Sequence, residues 1–244
     1  MAHIREIEAF VADILQPWNF QDYCYNGIQI EGKPEPSFLA VGVSLNMAFL
    51  REAVKRKADM VLVHHGFFGK DFFTLRGFLR ERVAYILEHN LTVMGYHLPL
   101  DAHPEYGNNA CIARELGLSL VKRVDVGYIT TYENPLPWEE FELRLRKVFP
   151  HSKFHIYKHR DTVQRVGIMT GGAASFLKSF EKEIDTFLCG EIKEQTLAES
   201  EEMGISFINA GHYYTETFGV KALASLLADR FGLAWEFIDI PNEV

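Results

Sequence analysis

Two adjacent histidines followed by a glycine form the most distinctive local feature of the sequence. His64 and His65 come at the end of an apolar run that predicts a strand, and Gly66 follows them. Side chains alternate along a strand, so the two rings point apart unless the chain turns at Gly66. With that turn both imidazoles can approach neighbouring metal ions, whereas without it the pair is a polar strand cap. The pair alone leaves both interpretations open.

Two further segments place a histidine four residues before a carboxylate. His97 precedes Asp101 in a turn that contains Pro99, and His212 precedes Glu216 at a predicted helix start. Residues four apart lie one helical turn apart, so His212 and Glu216 can share a face. Singly, the first segment is also typical of a hydrogen-bonded loop. A carboxylate at a helix start is also favoured by the helix dipole.

Together, the three segments favour a metal site more strongly than any one of them. Each follows an apolar strand, and ligands of parallel α/β sheets bind beyond the carboxyl ends of the strands. Mixed nitrogen and oxygen donors suit Zn, Mn, Fe or Co. The donors outnumber the three protein ligands that a single catalytic zinc usually has. They suffice for two ions ~3.5–4 Å apart if one carboxylate bridges them.

Strand and helix patterns alternate along the chain and predict an α/β protein with mainly parallel sheets. Helices are expected at residues 4–15, 47–56, 76–89, 108–116, 138–148, 175–183, 195–203 and 219–231. We predict a first domain at residues 1–124 that carries His64, His65 and Asp101. A second domain at residues 125–244 carries His212 and Glu216 and includes a β–α–β segment at about residues 125–160.

The two halves also look like a diverged repeat. The strand at residues 41–43 matches the one at 166–168, and Asp59 matches Asp185 at the start of the next strand. In each half, a histidine follows the third strand and a carboxylate comes four residues later. The positions of the polar residues, more than sequence identity, indicate the repeat.

Composition excludes several classes of protein. The 244 residues are 48% hydrophobic and 24% charged, which is typical of a globular chain. A net charge of −8 argues against non-specific binding to nucleic acid or to an anionic membrane surface, and leaves a local basic patch open. Three separated cysteines predict reduced thiols, and the charged N-terminal segment predicts no signal peptide, so we expect a cytoplasmic protein.

Longer motifs carry a resemblance to a known family. The segments HHGFFGK, YHLPLDAHPEYGNN and GHYYTE, with YNGIQIEG near the start, resemble the dinuclear-metal-centre proteins labelled type 2 GTP cyclohydrolase I. The resemblance implies that His64, His65, Asp101, His212 and Glu216 bind two metal ions, with Glu216 as the usual bridge. It also implies two similar three-layer α/β domains with a metal cleft between them, and a ring-shaped homohexamer.

Other residues receive weaker roles. His97 is assigned to acid–base catalysis or to the support of the metal ligands. The alternative is that His97 has only a structural role. Glu191, at a strand end that matches His65 in the repeat, is a second candidate for that support. Three arginines and a lysine after the histidine pair can neutralise a polyphosphate or form a solvated face: Lys70, Arg76, Arg80 and Arg82.

Three functions are consistent with this site. The resemblance implies a hydrolase that converts GTP and water to 7,8-dihydroneopterin triphosphate and formate. Two metals and nearby arginines also suit a phosphoesterase or nucleotidase. The third possibility is a ring protein that binds metal or a partner without turnover.

Overall fold

The computed structural model describes residues 2–69 and 74–243, so the candidate phosphate ligand Lys70 lies outside the described residues. The α-helices are α1 (Ile4–Leu15), α2 (Met47–Lys55), α3 (Gly77–Glu88), α4 (Leu98–Ala102), α5 (Asn108–Leu116), α6 (Trp138–Val148), α7 (Thr196–Met203), α8 (His212–Thr215) and α9 (Thr217–Phe231). The strands are β1 (Gly27–Ile30), β2 (Phe38–Ser44), β3 (Met60–His65), β4 (Thr92–Gly95), β5 (Ser119–Val124), β6 (Gly127–Pro137), β7 (His155–Tyr157), β8 (Thr162–Ile168), β9 (Thr186–Cys189), β10 (Ser206–Asn209) and β11 (Ala234–Phe237).

The chain divides into two compact units. The first unit contains residues 1–100 and 220–240, and the second contains residues 101–219 and 241–244. Each unit has its own sheet. The α/β class expected from the sequence is confirmed.

The first unit is a three-layer α/β structure. Its sheet has the order β1-β4-β3-β2-β11, with parallel pairing throughout except at the edge strand β1. Alternate residues of a strand face opposite sides of the sheet. Leu39 and Leu62 therefore pack with α1 and α9, whereas Ala40 and Val61 pack with α2 and α3.

The second unit is also layered, but its sheet is mixed. The order is β5-β6-β8-β9-β10-β7, in which β8, β9 and β10 are parallel and the other described pairs are antiparallel. Apolar residues of α5 and α6 cover one face, and a 3-10 helix (Ala174–Phe180) packs on the other. Parallel character in this unit is confined to the three central strands.

The domain boundary predicted at residue 124 needs correction. Strand β11 pairs in parallel with β2, with Ala234 opposite Phe38, so the end of the chain completes the first sheet. Helix α5 packs instead in the core of the second unit, through Ile112 and Leu116. The β–α–β segment predicted at about residues 125–160 is present as β6, α6 and β7, and both of its strands belong to the second sheet.

Two further differences concern single elements. The helix predicted at residues 175–183 is the 3-10 helix, and β5 lies at an edge of the second sheet where no strand was predicted. Within residues 2–69 and 74–243, no helix has both the length and the apolar character that crossing a membrane requires.

Candidate metal centre

Three histidines of the first unit come together at the carboxyl ends of β3 and β4. We call His64, His65 and His97 the imidazole group. One ring nitrogen of each lies within 4.8 Å of one from each of the others. The ring centroids of His64 and His65 are 4.8 Å apart, so these adjacent residues do not point in opposite directions. The turn predicted after them therefore brings both rings to the same place.

The Nδ1 atom of each ring in the imidazole group contacts a protein oxygen. For His64 the partner is the carbonyl of Tyr96 at 2.9 Å, and for His65 it is Oγ of Ser44 at 3.1 Å. For His97 it is Oδ1 of Asp22 at 3.0 Å. Such outer contacts fix the tautomer and the orientation of metal-binding histidines. With Nδ1 engaged in this way, Nε2 is the ring atom through which each histidine could bind an ion.

The turn after the histidine pair is held by one glutamine. Gln29 accepts a hydrogen bond from the backbone N–H of Phe67 at 2.7 Å and donates to the carbonyls of Phe67 and Tyr25. A side chain at Gly66 would collide with the Gln29 amide, so the close approach requires glycine here. Gln29 thereby fixes the backbone that follows His65.

The second unit brings together Asp101, His212 and Glu216, which we call the mixed group. A carboxylate oxygen of Asp101 lies within 4.8 Å of one from Glu216, and both residues are buried. Nε2 of His212 lies 3.1 Å from Oε2 of Glu216. Gly171, at φ +67°, passes so close to Glu216 that a Cβ would collide with its carboxylate. Two adjacent buried carboxylates are favourable only with nearby positive charge.

Outer partners also hold the mixed group. Asp101 accepts hydrogen bonds from Asn108 at 2.8 Å and from Thr170 at 3.0 Å. Nδ1 of His212 lies 2.6 Å from Oε1 of Glu191. Burial would lower the pKa of His212, but the hydrogen bonds and charges of Glu216 and Glu191 outweigh burial and raise that pKa to about 9. In the absence of an ion, the proton on His212 supplies part of the positive charge.

The donors fit a first-row divalent metal ion. The imidazole group offers only nitrogen, whereas the mixed group offers nitrogen and carboxylate oxygen, the ligand types that zinc, iron, manganese and cobalt accept. The imidazole group of the first unit could therefore hold a metal ion, and the mixed group supplies donors of types that such ions accept.

The candidate phosphate ligands lie on α3 of the first unit. Arg76 precedes the first turn of that helix and is exposed, as is Arg80. Arg82 is half-buried, with its guanidinium 5.5 Å from the ring centre of Phe78. None of these three positions tests a role in binding phosphate, which stays a prediction.

Sequence reasoning missed the outer partners Asp22, Ser44, Asn108 and Thr170. Asp22 and His97 are 75 residues apart in the chain, and no periodic pattern links them. The available signal was indirect, because Asn26 and Gln29 lie in the motif YNGIQIEG, next to Asp22. Glu191, in contrast, was singled out by its position in the repeat.

Comparisons with known proteins agree in assigning a family. The sequence profile described as Duf34/NIF3 (NGG1p interacting factor 3) matches residues 2–243. A protein of Vibrio cholerae named "GTP cyclohydrolase 1 type 2 homolog" is 36% identical over 248 residues, covering 98% of each chain. A protein of the same name from Yersinia pestis is 38% identical, covering 97% of this chain and 98% of its own.

Solved structures extend the likeness to the whole fold. The crystal structure of TTHA1606 from Thermus thermophilus is 33% identical and superposes with a TM-score of 0.93 over 100% of both chains. Reduced HcgD from Methanocaldococcus jannaschii, at 20% identity, has a TM-score of 0.86 over 98% of both chains and shows the fold alone. With the profile spanning nearly every residue and relatives above 30% identity over nearly full length, this chain belongs to the DUF34/NIF3 family.

Proposed function

We propose that the protein is a metal-dependent hydrolase of the GTP cyclohydrolase I type, which converts GTP and water to 7,8-dihydroneopterin triphosphate and formate. The observation that carries the proposal is the orientation of His64 and His65, whose Nδ1 atoms each contact a protein oxygen, which suits binding of an ion through Nε2. The ring of His97 lies beside them. The names of the bacterial relatives support the choice of GTP as substrate.

The proposed cofactor is a pair of divalent transition-metal ions per chain, either zinc, iron, manganese or cobalt. The proposed ligands are His64, His65, Asp101, His212 and Glu216, with Glu216 as the bridge. Support comes from the burial of Asp101 and Glu216, whose adjacent negative charges a cation would compensate. When bound, such ions activate water for attack and polarise the group that is attacked.

Two residues of this chain are proposed to transfer protons as general acids or bases. Water attacks the imidazole carbon of guanine, and the departing ring nitrogen then needs a proton. His97 is placed among the imidazole group and has the residue type best suited to exchange protons near neutrality. Glu191, in contact with His212, is the second candidate. General acid–base assistance of this kind contributes roughly 10²–10⁴ in rate.

Substrate binding and assembly complete the proposal. Arg76, Arg80 and Arg82 on α3 supply positive charge for the triphosphate. The chain is also proposed to act as a homohexamer, an expectation that rests on the family resemblance and is tested by the mass of the purified protein in solution.

The experiment is product analysis with a panel of nucleotides. The purified protein is stripped of metal, then assayed with and without added manganese or zinc, and formate and phosphate are both measured. Metal-dependent formate release from GTP is the expected result. Phosphate without formate would instead identify a phosphoesterase or nucleotidase.

A matched pair of variants controls the assay. Glu216→Gln removes a proposed ligand, whereas Glu194→Gln makes the same change at an exposed position of the second unit. Formate release should fall only in Glu216→Gln. Absence of both products with every nucleotide and metal would overturn the hydrolase proposal and favour a binding protein.

A further inference from the structure

Asp22 is a buried carboxylate beside the imidazole group that sequence patterns do not single out. Its side chain is only 2% exposed, in the loop before β1. Oδ1 accepts from the backbone N–H of Cys24 at 3.0 Å and lies 3.0 Å from Nδ1 of His97. Oδ2 accepts from the side chain of Asn26 at 3.0 Å and from the backbone N–H of Leu98 at 3.1 Å. Each oxygen therefore faces two donor positions.

These contacts keep Asp22 ionised. Burial alone would raise its pKa, but the hydrogen bonds from His97, Cys24 and Asn26 outweigh burial and lower the pKa to about 2. An ionised carboxylate can only accept hydrogen bonds. The hydrogen between Asp22 and His97 must therefore reside on Nδ1 of the imidazole.

The position of that hydrogen decides what the other side of the ring can do. A neutral imidazole carries one N–H, so protonation at Nδ1 leaves a lone pair at Nε2. The backbone of His97 is also held in place, because its N–H donates to Oδ1 of Asn26 at 2.8 Å. The ring centroid of His97 is 5.1 Å from that of His64 and 5.6 Å from that of His65.

We propose that Asp22 is a positioning residue of this site, which holds His97 as the Nδ1–H tautomer and directs the Nε2 lone pair towards the imidazole group. Asp22 touches neither water nor substrate in this account and acts only through His97. The catalytic consequence rests on the proposed function, since Nε2 is then the atom that takes up a proton and returns it to the leaving nitrogen. The tautomer itself does not depend on any activity.

The second unit contains the same arrangement at the matching position. His212 follows β10 as His97 follows β4, and its Nδ1 atom also contacts a carboxylate, Oε1 of Glu191 at 2.6 Å. In the second unit this carboxylate belongs to Glu191, which follows β9, and in the first unit it belongs to Asp22, which lies in the loop before β1. Two unrelated sequence positions thus supply the same contact to the same ring atom.

Asp22→Asn is the most direct test because it preserves shape and removes the charge. Since both oxygens of Asp22 face two donor positions, the amide NH₂ must face donors wherever it points. If the NH₂ turns to His97, it donates to Nδ1 and favours the Nε2–H tautomer. Asp13→Asn, at an exposed position of α1, is the matched control.

The readout is the tautomer of His97 in metal-free protein. Histidine is labelled with ¹⁵N, two-bond ¹H–¹⁵N spectra are recorded at a pH where the ring is neutral, and His97→Gln identifies the resonance. We expect Nδ1–H in the wild type and in Asp13→Asn, and at least half Nε2–H in Asp22→Asn. A wild-type ring that is mainly Nε2–H overturns the proposal even if Asp22→Asn does not fold. An unchanged tautomer in folded Asp22→Ala, which keeps no side-chain acceptor for Nδ1–H, also overturns it.

Kinetics then separate this inference from the proposed function. With GTP as substrate, Asp22→Asn should lower kcat at least tenfold with little change in KM, because orientation of His97 matters after binding. A changed tautomer in a protein whose wild type releases no formate would overturn the GTP cyclohydrolase activity and uphold the role of Asp22. An unchanged kcat together with a changed tautomer would overturn the catalytic consequence.

Discussion

The two units share the same order of four strands and differ in the candidate metal-binding side chains at the ends of those strands. Read from one edge, β2, β3, β4 and β1 of the first unit match β8, β9, β10 and β7 of the second in order and direction. In both units the first three are parallel and the last is an antiparallel edge strand. The neighbouring strand breaks the match, because β11 is parallel to β2 whereas β6 is antiparallel to β8.

The donors differ at matching strand ends. At the carboxyl end of the second strand of the set, the first unit has His64 and His65, and the second unit has Gly190 and Glu191. Glu191 contacts the histidine of its own unit, a contact that Asp22 supplies in the first unit. The comparison teaches that the histidine after the third strand is constant, and that the residues around it decide whether a unit offers nitrogen alone or nitrogen with carboxylate.

The largest expected effect is on turnover, and it should distinguish His97 from His212, the matching histidine of the second unit. His97→Ala should lower turnover by roughly 10²–10⁴-fold while metal content is retained, because it removes acid–base assistance and no proposed ligand. His212→Ala should lose metal. Formate release and elemental analysis measure the two properties, and His151→Ala, at an exposed position, is the control. Full activity would make His97 structural, and metal loss would make it a ligand.

The next effect concerns the bridge proposed in the mixed group. Glu216→Gln should lower bound metal from about two ions per chain, since a neutral amide cannot bridge two cations as a carboxylate does. Elemental analysis of the purified variant gives the stoichiometry, with Glu194→Gln as the control. Unchanged metal content would remove the bridging role from Glu216.

A smaller effect is expected at the outer contact of the second unit. Glu191→Gln weakens the hydrogen-bonded support of His212, and loss of such support typically lowers metal affinity about 10–100-fold. Competition with a coloured chelator measures that affinity. Equal affinities in Glu191→Gln and Glu194→Gln would show that the contact in the second unit does not tune metal binding.

A pH dependence is expected at the outer contact of the first unit. The pKa of Asp22 is about 2, below its ordinary value of 3.8, so its stabilising effect is complete above the ordinary value and is lost as the pH falls towards 2. The full contribution is about 2 kcal/mol, of which about half is lost by pH 3. Urea unfolding of wild type and Asp22→Asn from pH 6 to pH 3 should therefore show a shrinking difference. A constant difference would contradict the low pKa.

Much of this fold could be predicted from the sequence because the central strands are continuous apolar runs. The proposed metal ligands could be named from the sequence because they lie in the short segments that end or follow such runs. The boundary was wrong because pairing of β11 with β2 joins distant residues, and no local pattern reports such pairing. Strand β5 was missed because nearly all its side chains are exposed, which leaves no alternation to detect. Asp22 was missed because its partner is remote in sequence.

The smallest expected effect is on stability and concerns Asp59 and Asp185, the two aspartates that match each other in the repeat. Asp59 precedes β3 and accepts from the backbone N–H groups of Ser37 and Phe38, where β2 begins. Asp185 precedes β9 and accepts from the backbone N–H groups of Gln164 and Arg165 in β8. In each unit, therefore, the aspartate before one parallel strand accepts hydrogen bonds from the backbone of the neighbouring parallel strand.

The two aspartates differ in their further partners, and stability should differ accordingly. Asp59 also accepts from Oγ of Ser37 at 2.7 Å and pairs with Lys33 at 2.6 Å, whereas Asp185 adds only the hydroxyl of Thr186 at 2.9 Å. Hydrogen bonds to a charged group contribute about 1.5–3 kcal/mol, and less where the donors are exposed, as they partly are here. We therefore expect Asp59→Asn to destabilise by about 2 kcal/mol and Asp185→Asn by about 1 kcal/mol. Each kcal/mol corresponds to a fall in Tm of about 2–4 °C, measurable by thermal unfolding against Asp13→Asn. Equal losses would show that the shared backbone contacts, present in both units, carry the whole effect and that Lys33 adds nothing.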